Sequence, residues 1–209
     1  MTEIFRPDRA LPAWCELSGF EIVAVEGTGR ISRRRKGERE RILVTASAVQ
    51  LGFRERSQVL SEKQFLDLPD GVDDYWLVAV RAGASVIRLL GNWGEELGGC
   101  GTFTARNEEK PSDRGDRVDY PKFTSIDSHY HDCDEYWIGL EGSGEAIVGN
   151  RRIRLGAGDC LPIRAGHHHD LPSAPDGIRA VFFETTLIGK KRVGHLWEHT
   201  HGLAMPQPE

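Results

Sequence analysis

The 209-residue sequence lacks the features that mark membrane, disulfide-rich and nucleic-acid-binding proteins. No window approaches the ~20 apolar residues that a membrane-spanning helix needs. The four cysteines are far apart and form no CxxC pair, which argues against a disulfide framework or a zinc finger. A formal net charge of −5 gives no general attraction to nucleic acid. Because residues 1–18 contain no apolar core of signal-peptide length, we expect a cytoplasmic protein with reduced thiols and no membrane or nucleic-acid partner.

Long windows with helical periodicity are missing too, whereas 24 glycines lie between short apolar stretches. This pattern favours many turns and short strands, and it predicts an all-β fold. In the first half the expected strands are residues 20–25, 41–53, 59–68, 75–80 and 85–90. In the second half they are residues 123–130, 135–140, 144–148, 151–155, 159–163 and 179–186.

The two halves of the chain resemble each other in their turns and apolar positions. Residues 46–48 align with residues 142–144, and residues 64–71 align with residues 159–166 after a gap of one residue. We therefore expect two similar β-units in tandem, although any two β-meanders share some of this texture. The predicted organisation is an N-terminal arm (1–18), a first β-unit (19–105), a linker (106–119), a second β-unit (120–187) and a C-terminal tail (188–209).

Histidine is absent from the first 128 residues, and all eight histidines follow. His129 and His131 are two residues apart, so on a strand both imidazoles project from the same side. Glu135 can begin the next strand, and neighbouring strands lie roughly 4.8 Å apart. These three side chains can therefore meet at one point.

A second histidine run, His167, His168 and His169, follows the break at residues 165–166. If this run is extended, His167 and His169 face one way, and either of them could complete the site. Three imidazoles and one carboxylate suit a divalent first-row transition metal such as Fe, Mn, Ni, Cu or Zn. Four protein ligands around an octahedral ion leave two positions open for substrate or water.

These two runs resemble the paired motifs of the cupin superfamily. The first motif, G(x5)HxH(x3–4)E(x6)G, is matched by His129, His131, Glu135 and Gly142, while Phe123 stands where the leading glycine is expected. The second motif is G(x5)PxG(x2)H(x3)N. It is matched by Gly158, Gly166 and His169, with Arg164 in place of the proline and Ser173 in place of the asparagine.

The resemblance implies a cupin jelly-roll β-barrel that holds the metal, and it selects His169 as the third imidazole. It also implies a degenerate first unit, because arginines occupy the aligned ligand positions there. Arg33 aligns near His129, Arg35 near His131 and Arg39 near Glu135. The run from Arg33 to Lys36 could bind an anion or nucleic acid, but we favour a solvated hairpin.

Several further residues are candidates for substrate contacts. Arg164 could hold a substrate carboxylate if it points inward, although a solvated turn arginine is the simpler interpretation. Tyr120 and Trp137 are expected near the barrel mouth. His195, His199 and His201 could form a second site, but a tail that packs on the barrel or on a partner subunit is favoured.

Together with the ligand set, the resemblance implies a metal-dependent enzyme that acts on a small polar metabolite, such as a sugar, a sugar acid or an oxo or hydroxy acid. The metal (Fe, Mn, Ni or Zn) would act as a Lewis acid. An iron-dependent dioxygenase is the alternative reaction, and a non-catalytic binding or sensing module is the alternative of another class, because this fold does not fix function. The resemblance also suggests a homodimer.

Overall fold

The computed structural model describes residues 3–7, 10–187, 189, 191–192, 194–197 and 202–209. Within these residues every regular element is a β-strand, which confirms the all-β prediction. The strands are β1 (Leu17–Val25), β2 (Ile31–Arg34), β3 (Arg39–Ala46), β4 (Ala48–Phe53), β5 (Arg56–Ser61), β6 (Phe65–Asp67), β7 (Asp74–Ala79), β8 (Ala84–Gly91), β9 (Leu97–Ala105), β10 (Glu135–Val148), β11 (Arg151–Gly156), β12 (Cys160–Ile163), β13 (His169–Ser173) and β14 (Ile178–Thr186). No helix that could cross a membrane occurs among the described residues.

The chain divides into two compact units, Ala10–Trp93 and a second that comprises Gly94–Glu209 with the N-terminal segment. The first unit has two four-stranded sheets, in the orders β1-β8-β3-β6 and β2-β7-β4-β5. Its strands alternate apolar and polar residues, as β1 does, so each sheet buries one face. The buried side chains form a core that includes Val23, Ile42, Leu51 and Leu77.

A buried ionic cluster also lies in the first unit. The guanidinium of Arg88 donates to Glu40 Oε1 at 2.8 Å and to Glu21 Oε2 at 2.6 Å. The Tyr75 hydroxyl donates to the same Glu40 oxygen at 2.5 Å. Since Glu40 and Arg88 are each only 1% exposed, these contacts compensate for burying two charges.

The second unit is built around the long strand β10, which lies in a six-stranded arrangement. Its first part pairs with β12 and β14, and its second part pairs with β11 and β13. The strand changes partners near Gly142, where φ is 69° and a Cβ atom would collide with the carbonyl oxygen of Gly177. The motif glycine is therefore required by both the backbone conformation and the close approach of the next strand.

The placement of β9 differs from the expected division of the chain. We expected residues 19–105 to form one unit, but β9 pairs with β14 over eight positions, from Leu97 to Ala105, and belongs to the second unit. The expected strand at residues 123–130 is also wrong, since only isolated bridges occur there, at His129 and Tyr130. The pairing of β9 with β14 places β9 in the second unit. The local sequence gives no sign of a pairing between strands so far apart in the chain.

Three strands of each unit pair in the same order, and all of these pairings are antiparallel. In the first, β1 pairs with β8, which pairs with β3. In the second, β9 pairs with β14, which pairs with β10. In each unit the last strand thus lies between the first strand and one further strand, which the tandem-unit hypothesis requires, and the duplication itself stays a prediction.

Candidate metal centre

Four side chains from three neighbouring segments converge inside the second unit. Glu135 is the first residue of β10 and His169 the first residue of β13, while His129 and His131 lie just before β10. His129 and His169 form an antiparallel bridge, with backbone hydrogen bonds of 3.1 and 2.8 Å. The carbonyl of His131 accepts from the amide of Gly166 at 2.8 Å. Backbone hydrogen bonds therefore hold both histidine segments against each other.

The ligand atoms of these residues, which we call the His–Glu cluster, all lie within 4.8 Å of one another. Each of the four residues is at most 3% exposed. Buried ionisable groups are ordinarily compensated by a partner or by a metal ion. Their burial in one place therefore points to a shared partner.

Backbone carbonyls orient all three imidazoles of the cluster. A carbonyl oxygen only accepts, so the Nδ1 atom that faces it carries the hydrogen and donates it. The pairs are His129 with Asp127 (2.6 Å), His169 with His167 (2.9 Å) and His131 with Gly194 (3.1 Å). Each Nε2 atom is thereby turned towards the centre of the cluster, as in proteins whose histidines bind metals.

The contacts inside the cluster fit a cation. His169 Nε2 and Glu135 Oε2 lie 2.8 Å apart, and both atoms are buried without a hydrogen-bond partner in the described part of the chain. If the His169 ring is neutral and its Nδ1 carries the hydrogen, its Nε2 has a lone pair that faces the Glu135 oxygen. Two such electron-rich atoms repel each other unless a proton or a cation lies between them. His129 Nε2 and His131 Nε2 are 3.1 Å apart. Two ligands about 2.1 Å from one ion at a right angle would be separated by about 3.0 Å.

Charges within the cluster shift the pKa values of its members in different directions. Burial disfavours the charged form of His131, but the Glu135 and Glu184 carboxylates outweigh it and raise the pKa of His131 to about 9. Burial also opposes ionisation of Glu135, yet His131 and His169 hold the pKa of that carboxyl well below its usual range. Burial, reinforced by the neighbouring rings, lowers the pKa of His129. The cluster therefore keeps Glu135 ionised against a positive charge.

Sequence reasoning missed Glu184, which β14 brings to the cluster. It is directly opposite Glu135 in the β10–β14 register, is 4% exposed, and places Oε1 at 3.7 Å from His131 Nε2. Burial raises the pKa of Glu184 to about 7, and Glu135 adds to this effect while His131 opposes it. The only signal in the sequence is one acidic residue inside an apolar strand, AVFFETT.

A cavity of about 110 Å³, which we call the side cavity, adjoins the cluster. Four of the lining residues are apolar or aromatic. The polar lining comes from two members of the cluster and two further side chains. The lining residues are Phe103, Ile126, His129, Glu135, Trp137, Phe182, Glu184 and His195. The volume suits a molecule of a few non-hydrogen atoms next to the cluster.

The structure separates the three residues that we predicted as substrate contacts. Trp137 lines the side cavity, and its indole N–H donates to Glu135 Oε1 at 2.7 Å. Arg164 instead pairs with Asp134 at 2.6 Å and is not part of the described cavity lining. Tyr120 donates to Asp170 at 2.9 Å and lines a second, open depression of about 740 Å³, which also has His169 in its lining. A role in substrate binding stays a prediction for all three.

The remaining histidines lie in different surroundings. His168 pairs with Asp116 at 2.6 Å, and the ring of His167 contacts the carbonyl of Gln207 at 2.9 Å, so neither joins the cluster. From the tail, His195 lies beside the cluster, with its ring centroid 4.1 Å from that of His129. His199 and His201 lie outside the described residues.

The cysteines and the arginine run are not among the residues that form the His–Glu cluster in the described part of the chain. No disulfide joins the four cysteines, all of which are described residues, and Cys133 and Cys160 are buried. Within the run from Arg33 to Lys36, Arg35 donates to the carbonyls of Leu68 and Pro69 at 2.6 and 2.9 Å.

The fold and the site together define an all-β protein with a buried histidine and glutamate cluster able to hold a metal ion. The cupin domain family matches residues 116–185, which contain the whole cluster. The chain is also 46% identical over 206 residues to the uncharacterized protein y4oW of Sinorhizobium fredii (strain NBRC 101917 / NGR234), which covers 99% of this chain and 95% of that protein. The chain belongs to the cupin superfamily.

Solved structures are similar in fold at low sequence identity. The conserved protein of unknown function PA5104 from Pseudomonas aeruginosa PAO1 is 13% identical, with a TM-score of 0.55 over 88% of this chain and 87% of that chain. An IolB-like protein from Salmonella typhimurium LT2 is 13% identical, with a TM-score of 0.52 over 88% of each chain. AerE from Microcystis aeruginosa is 12% identical, with a TM-score of 0.52 over 80% of this chain and 87% of that chain. The cupin jelly-roll fold predicted from the sequence is thus confirmed.

Proposed function

We propose that this cupin is a metal-dependent enzyme that acts on a small oxygen-bearing metabolite at the His–Glu cluster. The observation that carries the proposal is the pair of buried atoms, His169 Nε2 and Glu135 Oε2, that face each other at 2.8 Å without another hydrogen-bond partner among the described residues. A divalent ion such as Fe, Mn, Ni or Zn satisfies both atoms at once.

The surrounding residues support this role by orienting the ligands. Trp137 fixes one oxygen of Glu135 and leaves the other directed at the histidines. When bound, the ion would supply Lewis-acid polarisation of a substrate oxygen. The side cavity gives a substrate room beside the cluster, and its volume of about 110 Å³ favours a small molecule. Sugars, sugar acids and oxo or hydroxy acids, or the reacting ends of larger ones, are the substrate classes that we propose.

An iron-dependent dioxygenase is the second candidate, and the apolar wall of the side cavity favours it. Phe103, Ile126 and Phe182 offer carbon surface to a ligand rather than hydrogen-bonding groups. A site of this kind suits a substrate with an apolar portion.

Elemental analysis of the freshly purified protein, with a parallel anaerobic preparation, tests both candidates. We expect close to one transition-metal ion per chain. Iron in the anaerobic sample, followed by oxygen uptake with a candidate substrate, would favour the dioxygenase, and turnover without oxygen uptake would favour Lewis-acid chemistry. A protein that contains no metal and takes up none would refute the proposal, while ligand binding without any turnover would favour a sensing module.

A further inference from the structure

We propose that His195, from the C-terminal tail, hydrogen-bonds the molecule that occupies the open position of the metal centre. This inference rests on the proposed metal site and adds a residue that neither cupin motif contains. It concerns residues 194–197, which we call the strap.

Hydrogen bonds attach the strap to the segment that carries two ligands. Leu196 forms an antiparallel bridge with Tyr130, the residue between His129 and His131, with hydrogen bonds of 3.1 and 3.4 Å. The carbonyl of Gly194 accepts the Nδ1 hydrogen of His131 at 3.1 Å. Leu196 is only 4% exposed, so apolar burial also holds the strap. The backbone of His195 is thereby fixed on both sides.

Two further contacts continue this attachment outside the strap. Arg192 makes a two-pronged ion pair with Asp132, at 2.8 and 3.0 Å. The Tyr130 hydroxyl donates to the carbonyl of Gly202 at 2.7 Å. The chain on both sides of the strap therefore returns to the ligand segment, so the position of His195 is defined by several independent contacts.

The ring of His195 faces the cluster but is not part of its donor set. Its centroid is 4.1 Å from that of His129 and 5.3 Å from that of His131. Among the described residues, the group of donors within 4.8 Å of one another contains the other three histidines and Glu135 but not His195. His195 therefore adjoins the donor set without belonging to it, and the space that both line is the side cavity.

The lining of the side cavity assigns that space to a ligand. Apart from the cluster residues His129 and Glu135, Glu184 and His195 are the polar residues of the described lining. Glu184 is buried, whereas His195 is exposed at the solvent side. His195 therefore lies on the exposed side of the lining, where its ring can donate or accept a hydrogen bond with a molecule in the cavity.

Azide binding to the cobalt-loaded full-length protein tests this inference. Co²⁺ content is measured first, and azide affinity is then taken from the change in the visible absorption of the bound cobalt. The variants are His195→Phe, which keeps a ring but removes both nitrogens, and His195→Gln, which keeps a hydrogen-bonding group. His167→Phe is the matched control, because the His167 ring lies outside the side cavity and contacts Gln207.

We expect His195→Phe to keep one cobalt per chain and to weaken azide binding about tenfold or more, since a hydrogen bond to a charged group is lost. His195→Gln should recover part of the affinity, and His167→Phe should bind azide like the wild type. Unchanged azide affinity in a cobalt-loaded His195→Phe protein, loss of cobalt from this variant, or no azide binding by the wild type would overturn the inference. Failure of the wild-type protein to bind cobalt would instead remove the proposed metal site on which it rests.

Discussion

At the residue scale, Glu135 connects the cluster because its Oε2 atom lies 2.8 Å from His169 Nε2 and 3.1 Å from His131 Nε2. We expect Glu135→Gln to lose metal affinity by more than about 100-fold, because even outer partners of metal ligands are typically worth 10–100-fold. Metal content and titration with Co²⁺ measure the loss. Glu145→Gln is the control on the same strand, since the Glu145 side chain is 42% exposed and pairs with Arg152. Equal metal content in the two variants would contradict this role.

His169 is distinguished from its two neighbours by the same kind of test. We expect His169→Ala to remove bound metal, and His168→Ala to leave it in place, because the His168 ring points to Asp116 instead of the cluster. Metal analysis of both variants, with a thermal melt to show that each is folded, gives the answer. Metal retained by His169→Ala would show that the third imidazole has been assigned incorrectly.

The buried hydroxyl of Tyr75 leads us to expect that the first unit loses stability at alkaline pH. Burial, followed by the hydrogen bond to Glu40, raises the pKa of Tyr75 far above its ordinary value of about 10. The neutral phenol thus stabilises the fold, and this contribution is present below about pH 10 and is lost as the pH rises above that value. Urea unfolding between about pH 9 and about pH 11 should show a steeper loss of unfolding free energy for wild type than for Tyr75→Phe, by up to about 1.4 kcal/mol per pH unit. Parallel curves would contradict this expectation.

The metal ligands were predictable because two short patterns carry them. His129, His131 and Glu135 lie within seven residues of the sequence and match one family motif, although the strand expected at residues 123–130 is reduced to isolated bridges at His129 and Tyr130. Glu184 and His195 were not predictable as neighbours of the cluster, because a strand register and a tail contact bring them there from far along the chain. Arg164 was a candidate for substrate binding from its motif position alone, and in the structure its guanidinium forms an ion pair with Asp134.

At the element scale, β9 was not among the expected strands, and its sequence, LGGCGTFTA, contains three glycines, which normally weaken a strand. The structure gives these glycines a packing role. A Cβ atom on Gly98 would lie 2.6 Å from Glu184 Cβ, and one on Gly101 would lie 2.8 Å from Phe182 Cε1. The glycines of β9 thus leave room for large side chains on β14 that line the side cavity, so a pattern that normally weakens a strand is here required by its neighbour.

A comparison of two motif glycines distinguishes the cost of backbone strain from the cost of a steric collision. Gly142 and Gly158 both have positive φ, 69° and 80°, but only Gly142 has a backbone atom in the way of a Cβ. We expect Gly158→Ala to cost about 1–2 kcal/mol from the left-handed conformation alone. Gly142→Ala should cost about 3 kcal/mol or more, because β10 and the Gly177 turn must also move apart. Urea denaturation of both variants measures the difference, and equal costs would show that the collision is relieved without penalty.

At the scale of the whole molecule, each unit has a separate core, and the cluster belongs to the second unit alone. Metal at about 100 times its Kd should stabilise that unit by about 2.7 kcal/mol. Hydrogen exchange should therefore slow by up to about 100-fold in β10, β13 and β14, with little change in β3 and β8. Mass spectrometry of exchange with and without metal measures this, and uniform slowing across both units would contradict it.

The composition and turn pattern were sufficient to predict the all-β class, and the distribution of histidines indicated that a candidate metal site would lie in the second half. The division between the units was not predictable, because residues 106–119 have the composition of a linker, whereas the preceding strand β9 pairs forward with β14. The homodimer stays a prediction from the family resemblance.

The orientation of the three imidazoles depends on main-chain oxygens at Asp127, His167 and Gly194 rather than on side chains. A carbonyl is present whatever residue occupies the position. The direction of the histidines therefore does not depend on which side chains stand at positions 127 and 167, although Asp127 Oδ1 accepts from the Arg114 amide and the His167 ring contacts the Gln207 carbonyl. The surroundings of the centre can accordingly be altered in charge and shape to suit new ligands, without rebuilding the centre itself.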